Sequence, residues 1–175
     1  MDEAGQNQDS WFTTMIDLYR LPTDFPGRNS LPLTGGAYER VARLEAQLSK
    51  DMITRLRGLA VADRLIPYIQ LHEFEALLFS EPSAFLEAFQ ANQSAVEQLR
   101  AIRAQFHNPE EIDESPDNGP SKRILYILSD YQKPVDGLLI AGRIGLDVIR
   151  RECRHFDDWI TRILAVARGS ALISS

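Results

Sequence analysis

Only two stretches of this chain read as β-strands, and both look built for burial. The first runs from Trp11 to Tyr19 and is rich in aromatic and β-branched residues. It ends at Leu21-Pro22-Thr23-Asp24-Phe25-Pro26-Gly27, where two prolines and a glycine force a loop. The second runs from about Arg64 to Leu71. Its Leu65, Ile66, Tyr68, Ile69 and Leu71 are apolar on both parities, the mark of a strand covered on both faces. Pro67 has no amide donor and indicates an edge position or an irregular entry. Two strands alone make a marginal sheet. Two readings therefore stand: a mostly helical protein with a small sheet, or an α/β domain lacking the strands that normally precede Trp11.

The rest of the chain reads as helix. Val41, Leu44, Leu48, Met52 and Leu56 draw one apolar stripe along a helix from about Ala37 to Leu56. Further helices are expected over Glu73–Ser80, from Pro82 to about Gln90, and over Ser94–Phe106, Ser121–Tyr131, Leu138–Cys153 and Phe156–Ala167. Asn108 to Pro120 reads as an acidic loop, carrying Glu110, Glu111, Asp113, Glu114 and Asp117.

Composition narrows the functional class. With 175 residues, 44% of them apolar, the chain can bury a real core and is not a disordered segment. Its net charge of −6 argues against unaided binding to phosphate. The charge is uneven, because residues 120–175 hold nine basic and six acidic side chains. An Arg-rich last third suits phosphate or a partner carboxylate, or is simply a solvated helical surface. A single cysteine, Cys153, excludes an intramolecular disulfide and a Cys-based zinc cluster. No signal peptide and no apolar run of roughly 20 residues is visible. A cytoplasmic protein that does not enter a membrane is expected.

Three places can carry chemistry. Asp17 interrupts an apolar strand near its carboxyl end, where ligands of α/β sheets gather and where a carboxylate suits a hard cation; it equally suits a cap on the following turn. Gln70-Leu71-His72-Glu73-Phe74-Glu75 occupies the same kind of position after the second strand. On a regular helix Glu73 and Glu75 diverge by ~200°, so one faces a site and the other solvent or the helix N-terminus. Ala76 stands where a zinc-protease helix needs its second histidine, which excludes that class. Third, Lys122 and Arg123 sit in a first helical turn, against the dipole preference, where an anion would explain them. Lysine is scarce, with only Lys50, Lys122 and Lys133. No Walker loop and no serine elbow is present.

The runs Phe12-Thr13-Thr14-Met15-Ile16-Asp17-Leu18-Tyr19, Asp24-Phe25-Pro26-Gly27, Pro67 through Ser80, Asn108-Pro109-Glu110, Pro120-Ser121-Lys122-Arg123-Ile124, Gly145-Leu146 and His155-Phe156-Asp157-Asp158-Trp159 together resemble domain-of-unknown-function family 4276 over nearly the whole chain. The resemblance implies a Toprim-like, helix-rich α/β fold with a mixed sheet core. It also implies a prokaryotic defence setting beside an ATPase of the ABC or AAA type, and Mg²⁺- or Mn²⁺-dependent phosphodiester cleavage like that of the overcoming-lysogenisation-defect nucleases. Members of the family begin with a strand ending in a Val-Glu-Gly-x-Thr-Glu type motif. Met1-Asp2-Glu3-Ala4-Gly5 does not supply it, which agrees with the missing strands.

On this resemblance the chain is expected to be one Toprim-like domain over residues 1–175, lacking its first strands, with residues 1–10 a flexible N-terminus. Asp17, Glu73 and Glu75 are the expected metal ligands, with Glu75 and Lys122 in catalytic roles and Lys122 offsetting charge on the scissile phosphate. A nucleic-acid substrate, an ATPase partner and self-association are all compatible with it. The competing expectation is a non-catalytic subunit that docks on the ATPase and keeps a degenerate metal site.

Overall fold

A computed structural model describes residues 10–29, 35–57, 64–89, 91–112 and 118–173. Residues 1–9 of the expected flexible N-terminus, and Asp113, Glu114 and Asp117 of the acidic loop, lie outside the described residues. The fold is a helix-rich α/β arrangement with very short strands. In chain order the elements are β1 (Phe12–Thr13), β2 (Ile16–Asp17), α1 (Ala37–Arg55), β3 (Leu65–Ile66), β4 (Ile69–Gln70), α2 (Ala84–Ala88), α3 (Gln93–Arg103), α4 (Pro120–Ile127), α5 (Lys133–Ile144), α6 (Leu146–Glu152) and α7 (Arg154–Ile173). Short 3-10 helices cover Leu18–Arg20, Phe74–Ser80 and Pro109–Glu111.

The chain divides into two compact units. The first comprises residues 1–16, 20–69 and 159–175, and the second residues 17–19 and 70–158.

In the first unit, β1 pairs in parallel with β3, Phe12 opposite Leu65 and Thr13 opposite Ile66. A second two-stranded sheet joins β2 and β4. Each expected strand is thus split in two, and Pro67 shows why. A proline cannot donate to the ladder, so the pairing lapses there, and the Thr14 hydroxyl takes over. It accepts from the Tyr68 amide at 2.9 Å and donates to the Tyr68 carbonyl at 3.1 Å. α1 buries Val41, Leu44 and Glu45. Glu45 is tolerated because its carboxylate accepts the Ile69 amide at 2.8 Å. Trp159 of α7 stacks on Tyr68 with ring centroids 4.4 Å apart and donates its indole N–H to Thr13 Oγ1 at 2.7 Å.

The second expected strand is buried, from Ile66 through Leu71. The first is not. Trp11, Phe12 and Met15 are exposed, because two-residue strands leave most of this run without covering layers.

The second unit is organised around the 3-10 helix Phe74–Ser80. Its Glu75, Ala76, Leu77, Leu78 and Phe79 are all buried, and α3, α4, α5, α6 and the Pro109–Glu111 turn pack on it. Unbroken apolarity from Ala76 to Phe79 is what a centrally placed segment needs. The helix expected over Leu138–Cys153 is two helices, α5 and α6, parted at Gly145, whose φ of 83° is a conformation that favours glycine. Within the acidic loop, Glu110 is fully buried and accepts the His155 and Phe156 amides at 2.9 and 3.0 Å. It closes the first turn of α7 from 45 and 46 residues away in sequence.

Candidate functional site

The site lies in the second unit, where β4 gives way to the 3-10 helix. His72 occupies the turn with φ of 62°, unusual for a residue other than glycine, and its ring lies 5.3 Å from that of Tyr19. That left-handed turn redirects the chain so that the helix starts at Phe74. Glu73 is left in extended conformation ahead of it, with φ −139° and ψ 156°. The divergence expected of Glu73 and Glu75 on one regular helix therefore does not apply. Both carboxylates reach the same ammonium: Lys133 Nζ lies 3.5 Å from Glu73 Oε1 and 3.6 Å from Glu75 Oε1.

Asp17 joins them from the end of β2. Its Oδ1 accepts the Phe74 amide at 3.1 Å. It thus satisfies a donor of the 3-10 helix 57 residues away in sequence. Glu73 Oε2 accepts the Ser121 amide at 3.0 Å, in the first turn of α4. Gly119, the residue ahead of α4, has no side chain to do this. A Cβ there would stand 3.2 Å from Glu73 Oε2.

The two glutamates differ in their titration. Burial works to raise the Glu73 carboxyl, but the bonds from Ser121 and the charge of Lys133 outweigh it and hold Glu73 below the usual carboxylate range. For Glu75 burial prevails. Lys133 pulls the carboxyl back, while the neighbouring charges of Glu73 and Asp17 push it further up. Glu75 is 3% exposed and its ion partner is Lys133. Tyr131 is buried beside this pair. Its hydroxyl has no hydrogen-bond partner among the described residues. Burial first, then the charges of Glu75, Asp136 and Glu73, drive its phenol far above the ordinary value. A buried hydroxyl without a partner is costly and marks a place where water or a bound group belongs.

The structure therefore gathers three of the four sequence candidates, Asp17, Glu73 and Glu75. Lys122 is placed elsewhere: it is exposed and lines a cavity with Arg123, Asn118 and Tyr126. The ammonium beside the carboxylates is that of Lys133. Lys133 opens α5, whereas the sequence reading starts this helix at Leu138, so the dipole argument made for Lys122 does not extend to Lys133. Cys153 is buried against Ser80, and burial pushes its thiol well up, away from nucleophilic chemistry.

Among the described residues, no three His, Cys, Asp or Glu side chains form a set that could hold a metal ion by themselves. Mg²⁺ does not demand such a cage. It is commonly held by one or two carboxylates, with waters and substrate phosphates completing its shell. Glu73 and Glu75 are hard oxygen donors that already share one cation, the Lys133 ammonium, so the donor chemistry fits.

The fold places the chain among helix-rich α/β proteins. The family model described as "Domain of unknown function (DUF4276)" matches residues 1–164, so the chain belongs to that family. No curated protein and no solved structure matches it. No helix among the described residues is long and apolar enough to cross a membrane.

Proposed function

We propose that this chain is a Toprim-like, metal-dependent nuclease or nuclease subunit that hydrolyses nucleic-acid phosphodiesters, working in prokaryotic defence with an ATPase of the ABC or AAA type. The observation that carries the reading is Glu75. Asp17, Glu45, Glu73 and Glu110 each accept a backbone amide from a distant residue and so have a structural use. Glu75 is a buried carboxylate whose partner is a lysine side chain, beside a buried tyrosine hydroxyl without a partner. Perturbed carboxylates of this kind concentrate at functional sites.

In this reading Glu73 and Glu75 would hold Mg²⁺ or Mn²⁺, with waters and substrate phosphate completing its shell, and Asp17 would fix the Phe74 amide beside them; the bound ion would supply an activated water and neutralise developing charge. Glu75, with its raised affinity for a proton, takes one from the attacking water. Lys133 balances the carboxylates and, at 40% side-chain exposure, stands at the rim where a phosphate arrives. The test is nicking of supercoiled plasmid by the full chain with Mg²⁺ or Mn²⁺, comparing wild type with Glu75→Gln and Asp17→Asn. Loss of at least about 100-fold in rate is expected of Glu75→Gln, in the range for a general base. Full activity in either variant would overturn the assignment.

A second reading is a non-catalytic subunit that docks on the ATPase. It is favoured by α5, which leaves Val135, Leu138 and Leu139 exposed at helical spacing. An apolar stripe of that kind fits a partner better than water. Here Leu138→Glu abolishes co-purification with the ATPase, and wild type shows no metal-dependent cleavage.

A further inference from the structure

The second unit carries a cavity that the acidic cluster does not use. It encloses about 620 Å³ and is lined by Ile102 of α3, Asn118, and Lys122, Arg123, Leu125 and Tyr126 of α4. Among the described residues no carboxylate lines it. Lys122 has no ion-pair partner among the described residues. Arg123 is held in place by two contacts. Its guanidinium carbon lies 5.6 Å from the Phe106 ring centroid, and its Nε donates to the Asn118 carbonyl at 2.8 Å. Among the described residues its two terminal nitrogens have no partner.

Tyr126 is 90% exposed, the barest of the large apolar side chains described. It stands one helical turn from both Lys122 and Arg123, so all three share one side of α4. Two cations fix the charge of the ligand as negative. The bare ring adds a demand for a flat π-face, and Ile102 and Leu125 supply apolar wall.

We propose that this cavity binds single-stranded nucleic acid, with a base stacked on Tyr126 and adjacent phosphates held by Lys122 and Arg123. Stacking platforms beside basic groups are the common device for single strands, whose bases are free to leave their neighbours. A duplex keeps its bases stacked and offers only phosphates. The inference rests on the nuclease reading for its substrate class, while the cleft itself is argued from the cavity alone. It gives Lys122 a binding role distinct from a place among the reacting groups.

The experiment is fluorescence anisotropy of labelled single-stranded and duplex oligonucleotides with the full chain in EDTA, which separates binding from cleavage. The single strand is expected to bind more tightly than the duplex. Tyr126→Ala weakens it by about tenfold or more, and Tyr126→Phe retains affinity. Lys122→Ala lowers the slope of log affinity against log salt by about 0.7. Glu75→Gln leaves binding intact. The proposal is overturned if Tyr126→Ala and Lys122→Ala bind like wild type. It is also overturned if duplex binds as tightly as single strand, or if polyglutamate competes as well as the oligonucleotide. Tyr126-dependent binding without any metal-dependent cleavage would sink the nuclease reading alone; cleavage with cavity variants unaffected in binding would sink the cleft alone.

Discussion

Glu73 closes the amino end of α4 by accepting the Ser121 amide at 3.0 Å, across 48 residues of sequence. A carboxylate at a helix N-terminus is favoured by the dipole and makes a charge-assisted bond. Glu73→Gln is therefore expected to destabilise the fold by about 1 kcal/mol at neutral pH, read by urea denaturation. Because the folded carboxyl titrates below its ordinary value, its contribution is present above about pH 4.5 and fades as pH falls through the lowered pKa. The variant's deficit shrinks over that acidic window.

Glu75 runs the other way. Its raised pKa means that the fold prefers the protonated acid. The associated stability is full below about pH 4.5 and is lost as pH rises through the raised value. Glu75→Gln, a neutral isostere, removes that loss. Thermal melts across pH 4 to 8 are expected to show the variant at least as stable as wild type at pH 7, while its cleavage activity collapses. A neutral-pH melting temperature clearly below wild type would contradict this account.

Tyr131 and Gly137 form a coupled pair. A Cβ on Gly137 would meet the Tyr131 hydroxyl at 2.9 Å and Phe74 Cε1 at 3.3 Å. Gly137→Ala should cost about 1–3 kcal/mol through overpacking. Tyr131→Phe removes the hydroxyl that has no partner, so alone it is expected to be neutral or stabilising. In Gly137→Ala it should restore part of the loss. A double-mutant cycle measures the coupling; strict additivity would refute it.

Glu110 makes the most severe structural prediction. Glu110→Ala leaves the half-buried His155 and buried Phe156 donors without this acceptor and opens a void at the start of α7. A loss of about 2 kcal/mol or more is expected, whereas Glu111→Ala, on the half-buried neighbouring residue, costs much less. Equal losses in the two variants would show that the capping bonds are not the cause.

The acidic site was legible in sequence through one argument, that a carboxylate at the end of an apolar strand needs a reason to be there. It singled out Asp17, Glu73 and Glu75, which bond to the Phe74 amide, the Ser121 amide and the Lys133 ammonium in the second unit. It did not show that Glu73 precedes the helix, because that depends on the left-handed turn at His72, which no spacing rule announces. It chose Lys122 and passed over Lys133, because the helix was expected to begin only at Leu138 and only the fold brings α5 to the carboxylates. The helical stripe of α1 was readable as far as its buried end, at Val41 and Leu44. The buried reading of Trp11 and Phe12 failed, since apolar character states what a residue prefers and not what is available to cover it.

Thr13 and Trp159 hydrogen-bond across 146 residues. Synthesis on the ribosome makes that distance a delay. At roughly 5–20 residues per second, β1 waits on the order of ten seconds for the indole that packs over its sheet. Nearly all of the second unit, one continuous run from Gln70 to Asp158, is made in that interval. The second unit is thus fully made before α7 can supply the bond that ties down β1.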